Sequence, residues 1–544
     1  MARSTFLTVA AITTAAFLAA VVAPPSIATA QAPQTVMVPM RDGVRLATDV
    51  YVPDGQGPWP TALICTPYSR KGAQGFAKQA IERGYVLVAQ DFRGRFDSEG
   101  DDYPVFLAGG WGEHQDGYDT VEWIARQEWS NGKVGGFGMS APGIALNMMA
   151  PSRPPHLTCC YVSVAFSSMY HQCAYQGGAF RKALLETWLS LSKFSPKNLE
   201  LFRAHPDYDD FWRAFDCERV ADRVNVPTMY VGGWYDIFIA GTLNSFVTVQ
   251  HQGDEGARGK CRLVMEPYGH GRNEDLVFPN TGHPRAADLW NWFDVWLKND
   301  GRGLQDIPVV QYYVMSDPND PNTPGNQWRT AEDWPVPAEA IKIYFRTDKR
   351  LRLRPPEELF GSLSYTYDPK NPVPTIGGAN LTISKGPMDQ RPVEGRPDVL
   401  LFDSPVFDRH IEITGPVTVK LWVSSTAPDT DFAAKLCDVY PDGRSMLVLD
   451  GILRARHRES TATSVPLERD KIYEIEIDLW ATSLVFSPGH RMRVALSSSN
   501  APRFEPNPNT GKPSGADAQT EVATNTIYIN AEHPSHIVVP FVRH

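Results

Sequence analysis

Gly138-Met139-Ser140-Ala141-Pro142-Gly143 is the stretch on which the reading of this 544-residue chain turns. An apolar, strand-like run at 134–137 leads into it, and Ile144-Ala145-Leu146-Asn147-Met148-Met149 leaves it as a buried helix. A serine between glycines at a strand-to-helix turn is the nucleophile-elbow pattern. The tight turn lifts the hydroxyl clear of the sheet, and the helix N-terminus favours negative charge beside it. The usual spacing is G-x-S-x-G; here the second glycine falls one place later, at Gly143. Pro142 has no N–H but suits the first turn of a helix. Ala141 keeps its N–H, the one an oxyanion hole would use. An ordinary glycine-rich turn with an incidental serine reads the same in isolation, so context must decide.

The context is alternating strand and helix. Residues 36–53 read as a hairpin turning at Arg41-Asp42-Gly43, and 61–66 as a short apolar strand. A helix at 76–83 stops at Gly84, and 85–90 is a continuous apolar strand of the buried, parallel kind. An amphipathic helix at 118–127 precedes the Ser140 strand. This order predicts an α/β domain on a parallel sheet. From about 169 to 223 the pattern turns helical, at 183–191 and 198–215, which reads as an insertion. Strands resume at 226–232 and 261–265, and a helix at 286–297 closes this part. After Trp328 short alternating runs recur at 341–345, 417–423, 473–479 and 491–497, separated by turns such as Pro441-Asp442-Gly443. That texture predicts a β-sandwich or jelly roll.

The expected organisation is a signal peptide at 1–30, an α/β-hydrolase domain at 31–165 and 224–327, a helical cap at 166–223, and a jelly-roll domain at 328–544. The signal rests on Arg3, the apolar run 6–23 and Ala28-Thr29-Ala30, with cleavage before Gln31; the expected destination is secreted or periplasmic. No other stretch has the roughly 18 apolar residues of a membrane span, so no stable anchor is expected after cleavage. Net charge is −10 with no long basic run, which argues against nucleic acid as a partner. The seven cysteines, an odd number, cannot all pair within one chain. None has C-x-x-C spacing, so no metal site is expected. Most read as buried thiols, with a Cys173–Cys217 bridge left open. No cofactor is implied, and the oligomeric state is not readable.

A serine needs a base, and the base an orienting acid. In this fold the chain order is Ser, acid, His. Val226-Pro-Thr-Met-Tyr-Val-Gly-Gly-Trp-Tyr-Asp236 ends an apolar strand in an acid, and Cys261-Arg-Leu-Val-Met-Glu-Pro-Tyr-Gly-His270 ends the next in a histidine. A lone Asp at a strand end is commonly a turn residue. With 13 histidines in the chain, a lone match is cheap. Order and position together carry the assignment, because both residues lie just past the carboxyl ends of strands, where α/β sheets place their sites.

Further segments carry a resemblance. Val38-Pro-Met-Arg-Asp-Gly43, Gln90-Asp-Phe-Arg-Gly-Arg-Phe-Asp-Ser-Glu-Gly100 and Gly233-Trp-Tyr-Asp236 resemble the cocaine esterase (CocE/NonD) family, which includes α-amino-acid ester hydrolases and X-Pro dipeptidyl-peptidases. Asp438-Val-Tyr-Pro-Asp-Gly-Arg444 and Ser487-Pro-Gly-His-Arg491 look similar to that family's jelly-roll domain. The likeness spans nearly the whole mature chain. It implies Ser140 as nucleophile, His270 as base and Asp236 as orienter. It also implies an oxyanion hole made by a backbone N–H and a tyrosine that follows a proline after an early strand, here Ala141 and Tyr68. Phe238 and Trp188 match positions that line the family's aryl pocket, although core packing alone would account for either. Many relatives have a tyrosine after the nucleophile, where this chain has Ala141.

Relatives that cleave amino-acid esters resemble one another in having carboxylates beside the triad acid. Here Asp236 is followed by Ile237, Phe238, Ile239 and Ala240. A buried ammonium without a counter-charge is costly. The expectation is therefore a serine esterase (EC 3.1.1) acting on neutral or aryl carboxylic esters. Amide-directed acylase or peptidase activity is the alternative. A non-catalytic relative whose jelly roll binds a ligand is the reading from another class.

Overall fold

Strands β3 (Trp59–Thr66) and β4 (Val86–Asp91) are buried almost end to end, as their unbroken apolar runs require of strands covered on both faces. Their side chains alternate between two cores. Leu63, Cys65, Val86 and Val88 pack with the helices α2 (Asp116–Ala125) and α3 (Ala141–Met149). Ala62, Ile64, Leu87 and Ala89 pack with α1 (Gln74–Glu82) and with Trp290 and Phe293 of the short helix Leu289–Phe293. The computed structural model describes residues 32–271, 276–298, 301, 303–512 and 519–543, and the leader expected at 1–30 lies outside them. Residues 33–544 cluster as one compact unit.

Around β3 and β4 runs a ten-stranded sheet. Its other strands are β1 (Gln34–Pro39), β2 (Arg45–Tyr51), β5 (Ser130–Met139), β6 (Leu157–Ser163), β9 (Thr228–Tyr235), β10 (Arg262–Gly269), β11 (Val310–Val314) and β12 (Gln327–Ala331); β7 (Tyr175–Gln176) and β8 (Ala179–Phe180) form a separate hairpin. The order is β1-β2-β4-β3-β5-β6-β9-β10-β11-β12, parallel from β4 through β11 and antiparallel at both ends. The chain steps from β3 outward to β4 and then returns to β5 on the other side. This reversal opens a crevice beyond the carboxyl ends of β3 and β5, where ligands sit in such sheets.

The C-terminal part is antiparallel. One sheet runs Leu351–Arg352, Glu339–Phe345, His536–Val542, Ile411–Ser425, Ala523–Tyr528 and Ser362–Tyr367, with Tyr473–Phe486 also paired to Ile411–Ser425. The other runs Leu400–Asp403, Arg491–Ser497, Asp431–Val439 and Ser445–Arg454. Val417 and Leu421 of the first share a core with Phe432, Leu436 and Val448 of the second. The α/β-hydrolase fold with a C-terminal β-sandwich is therefore as the sequence texture predicts.

Several local expectations are corrected. The helix expected at 198–215 is broken into α5 (Lys197–Ala204) and α6 (Asp210–Arg213), because Pro206 cannot continue it. The helix expected at 286–297 starts later, where Asp288 caps it by accepting from the Trp290 N–H at 3.0 Å. Strands β6, β11 and β12 and the β7–β8 hairpin were not legible as elements; Trp328 lies inside β12 of the large sheet. The Cys173–Cys217 bridge does not form: all seven cysteines are free and buried, and Cys217 Sγ lies 3.7 Å from Met148 Sδ.

Candidate active site

Ser140 sits where β5 turns into α3, with φ 61° and ψ −127°. A non-glycine residue adopts such angles only when its surroundings hold it there. They do. Its N–H donates to Ser163 O and its carbonyl accepts from Ile144 N–H, both at 2.9 Å. A Cβ on Gly138 would collide with the backbone of Pro142 and Gly143, so the shifted glycine pattern still serves one tight turn.

Asp236 follows β9 and His270 follows β10. Asp236 is fully buried. His270 Nδ1 lies 2.6 Å from Asp236 Oδ1, and His270 Nε2 lies 2.8 Å from Ser140 Oγ. The second carboxylate oxygen accepts from the Phe238 N–H at 2.6 Å, which fixes the acid's orientation. With Nδ1–H donating to the carboxylate, Nε2 is the free acceptor for the serine proton. The arrangement can take a proton from Ser140 and return it to a leaving group.

Tyr68 follows β3. Its hydroxyl accepts a 2.7 Å bond from Trp188 Nε1. Burial of the phenol end raises its pKa above the ordinary tyrosine range, against the opposing pull of the Trp188 bond, so the hydroxyl keeps its proton. Ala141 begins α3, and first-turn N–H groups have no acceptor within their own helix.

A narrow cleft of about 10 Å³, room for about one water, lies beside Ser140. Trp188, on α4 (Lys182–Leu191), and Phe238 line it. The Phe238 ring also meets His270 edge-on at 5.7 Å. Thus Ser140, Ala141, Tyr68, Trp188, Asp236, Phe238 and His270 are brought together. Sequence reasoning did not place Ile144, Phe166, Cys173, Leu184 or Leu381 in the wall, which they complete together with Ile237. Leu381 comes from the β-rich half, and no local signal could have announced it.

Among known proteins, the cocaine esterase of Rhodococcus sp. (strain MB1 Bresler) is 34% identical over 93% of this chain and 98% of its own length. The chain belongs to the cocaine esterase (CocE/NonD) family of serine hydrolases. Within it, residues 42–199 and 191–272 match the X-Pro dipeptidyl-peptidase (S15) family, and 302–538 match the X-Pro dipeptidyl-peptidase C-terminal non-catalytic domain. A solved α-amino-acid ester hydrolase superposes with TM-score 0.80 at 26% identity, covering 97% of this chain and all of its own. An aminopeptidase from a marine sediment archaeon (Thaumarchaeota archaeon) shares the fold at TM-score 0.81 and 24% identity, over 94% of this chain and 96% of its own. Among the described residues, no helix of this CocE/NonD member is long and apolar enough to cross a membrane.

Proposed function

We propose that this enzyme cleaves carboxylic esters with neutral or aryl acyl groups through a Ser140 acyl-enzyme. The observation that carries the reading is the unbroken chain Ser140–His270–Asp236 at 2.8 and 2.6 Å. His270 Nε2 takes the Ser140 proton as Oγ attacks the ester carbonyl. The carbonyl electron pair moves onto oxygen, where the Ala141 N–H and the Tyr68 O–H stabilise it. Collapse expels the alkoxide or phenoxide, which takes the proton from His270. Water then repeats the sequence on the acyl-enzyme and releases the acid.

The substrate reading rests on the pocket. Ser140, Ala141, Ile144, Phe166, Cys173, Leu184, Trp188, Ile237, Phe238 and Leu381 line it, and none carries a carboxylate. Glu186, the nearest acid in sequence on the cap, is bound to Arg203 at 2.7 Å. Amide-directed activity is the second reading, favoured by the match to the S15 family. Steady-state rates on p-nitrophenyl esters, amino-acid esters and X-Pro anilides separate the two. An X-Pro anilide turned over faster than every ester would reverse the order proposed here.

The reading keeps 31–165 with 224–327 as hydrolase domain, 166–223 as cap and 328–544 as jelly roll. It also places the enzyme outside the cytoplasm, secreted or periplasmic, on the strength of the apolar run 6–23 and Ala28-Thr29-Ala30. N-terminal sequencing of the exported protein is expected to begin at Gln31.

A further inference from the structure

The segment 90–100, with Arg93 and Arg95, is used by neither the triad nor the pocket wall. Arg95 is nonetheless buried, with 7% of its surface exposed, in the loop that follows β4. Its guanidinium reaches four acceptors. Nε donates to Pro67 O at 3.2 Å. Nη1 donates to Asp102 Oδ2 at 3.1 Å and to Lys193 O at 2.7 Å. Nη2 donates to Ser192 O at 2.5 Å. The ring of Phe194 covers its face at 4.3 Å. Asp102 neutralises the charge and also accepts from Ser195 N–H at 3.1 Å.

These acceptors are telling. Pro67 O belongs to the residue immediately before Tyr68. Ser192 and Lys193 follow α4, so their carbonyls lie at the negative end of the helix that carries Trp188. Trp188 Nε1 in turn donates to Tyr68 Oη at 2.7 Å. The contacts close a ring: Arg95, the Pro67 carbonyl, Tyr68, Trp188, the end of α4, and Arg95 again. Tyr68 is 42% exposed, and the contact that holds its hydroxyl is the Trp188 bond. The loop is shaped for the task. Gly94 has φ 69°, and a Cβ there would strike the backbone of Asp101 and Asp102, the segment that supplies the counter-charge.

We propose that Arg95 is a positioning residue for the oxyanion hole: one guanidinium fixes both the backbone before Tyr68 and the helix that presents Trp188, and so sets where the Tyr68 hydroxyl points. The proposal rests on the reading of Tyr68 as an oxyanion donor. Arginine is required because a lysine ammonium carries the charge but cannot span Pro67 O and the α4 carbonyls in one plane. The effect belongs to the transition state, since the Tyr68 hydroxyl is wanted where charge develops and not by the ground-state ester.

The test is a double-mutant cycle on the full chain with p-nitrophenyl acetate, using Arg95→Lys, Tyr68→Phe and the pair. Fluorophosphonate labelling counts folded, competent sites in each variant. Arg95→Lys is expected to lower kcat by about 10- to 100-fold with KM within about twofold, the scale set by a misplaced catalytic group. In the Tyr68→Phe background the same change is expected to cost less than about threefold, because the group it positions is gone. A merely structural arginine would cost the same factor in both backgrounds, and that additivity would overturn the proposal. So would an unchanged kcat in Arg95→Lys. If Arg95→Lys does not label, Trp188→Phe breaks the ring at the other side, and its kcat loss must likewise shrink in the Tyr68→Phe background. Full kcat in Tyr68→Phe would instead remove the oxyanion reading itself, and the positioning role with it.

Discussion

Among the described residues, two of the aspartate–histidine pairs have a buried acid, one in each half. In the hydrolase half, His270 Nδ1 lies 2.6 Å from Asp236. In the jelly roll, His490 Nδ1 lies 2.9 and 3.0 Å from the two carboxylate oxygens of Asp438. Both acids are buried. The pairs differ beyond the far nitrogen. His270 Nε2 faces the Ser140 hydroxyl at the mouth of a pocket. His490 Nε2 faces a second carboxylate, Asp317, at 3.6 Å, and its ring is 4.3 Å from that of Tyr440. Burial pulls the His490 imidazole down, but Asp438 and Asp317 pull harder and leave it above the usual histidine range. A far nitrogen that faces a carboxylate has no hydroxyl proton to take. Asp317 follows β11 of the large sheet, so His490 also links the small antiparallel sheet that carries Asp438 to the large sheet. An Asp–His pair becomes catalytic only when a hydroxyl and open space lie on its far side.

Three substitutions and one substrate comparison test that contrast. Ser140→Ala removes the hydroxyl that distinguishes the first pair, and kcat on p-nitrophenyl acetate is expected to fall by roughly 10⁴- to 10⁶-fold with the fold intact by circular dichroism. Asp236→Asn keeps the shape but spoils the tautomer of His270, for an expected loss of about 10⁴ in kcat with little change in KM; a loss within about threefold would mean that another acid orients the histidine. Phenyl acetate is expected to exceed phenylglycine methyl ester in kcat/KM by about ten- to a hundredfold, the cost of an ammonium left without a partner. A preference for the amino ester would reveal an acid within reach of the pocket. His490→Gln is expected to leave kcat within about twofold, far below the effect of a lost catalytic base, and to lower Tm instead. Because His490 titrates above its unfolded value, its contribution is fully present below the unfolded pKa and is lost as pH rises through the folded one. The Tm deficit is therefore expected to be larger at pH 6 than at pH 9. Equal deficits at both would show that His490 does not act through its charge.

The proposed catalytic groups were legible because each ends a strand. The elbow at Ser140, the acid closing Val226–Asp236 and the histidine closing Cys261–His270 are local signals, and the sheet gathers strand ends into one crevice. The structural pair was visible only as two segments, 438–444 and 487–491, that each look similar to the family's jelly-roll domain, with no sign that they meet. Distance in sequence hid other parts for the same reason. Leu381 reaches the pocket from nearly 200 residues beyond Trp188. The β7–β8 hairpin has strands too short for any periodicity and is fixed from outside, by Arg454 N–H on Gly177 O at 2.8 Å and by packing of Ala179 on Ile452 and Phe504. Pro206 is a helix breaker readable from the sequence, and α5 ends just before it, well short of the helix expected at 198–215.

The central claim is that Ser140 becomes acylated because His270 faces it. Intact-mass and peptide-mapping analysis after a fluorophosphonate reagent reads this directly. A single adduct on Ser140 is expected, lost in Ser140→Ala, strongly slowed in His270→Ala and unaltered in His490→Gln. An adduct on another residue, or undiminished labelling of Ser140 in His270→Ala, would contradict it.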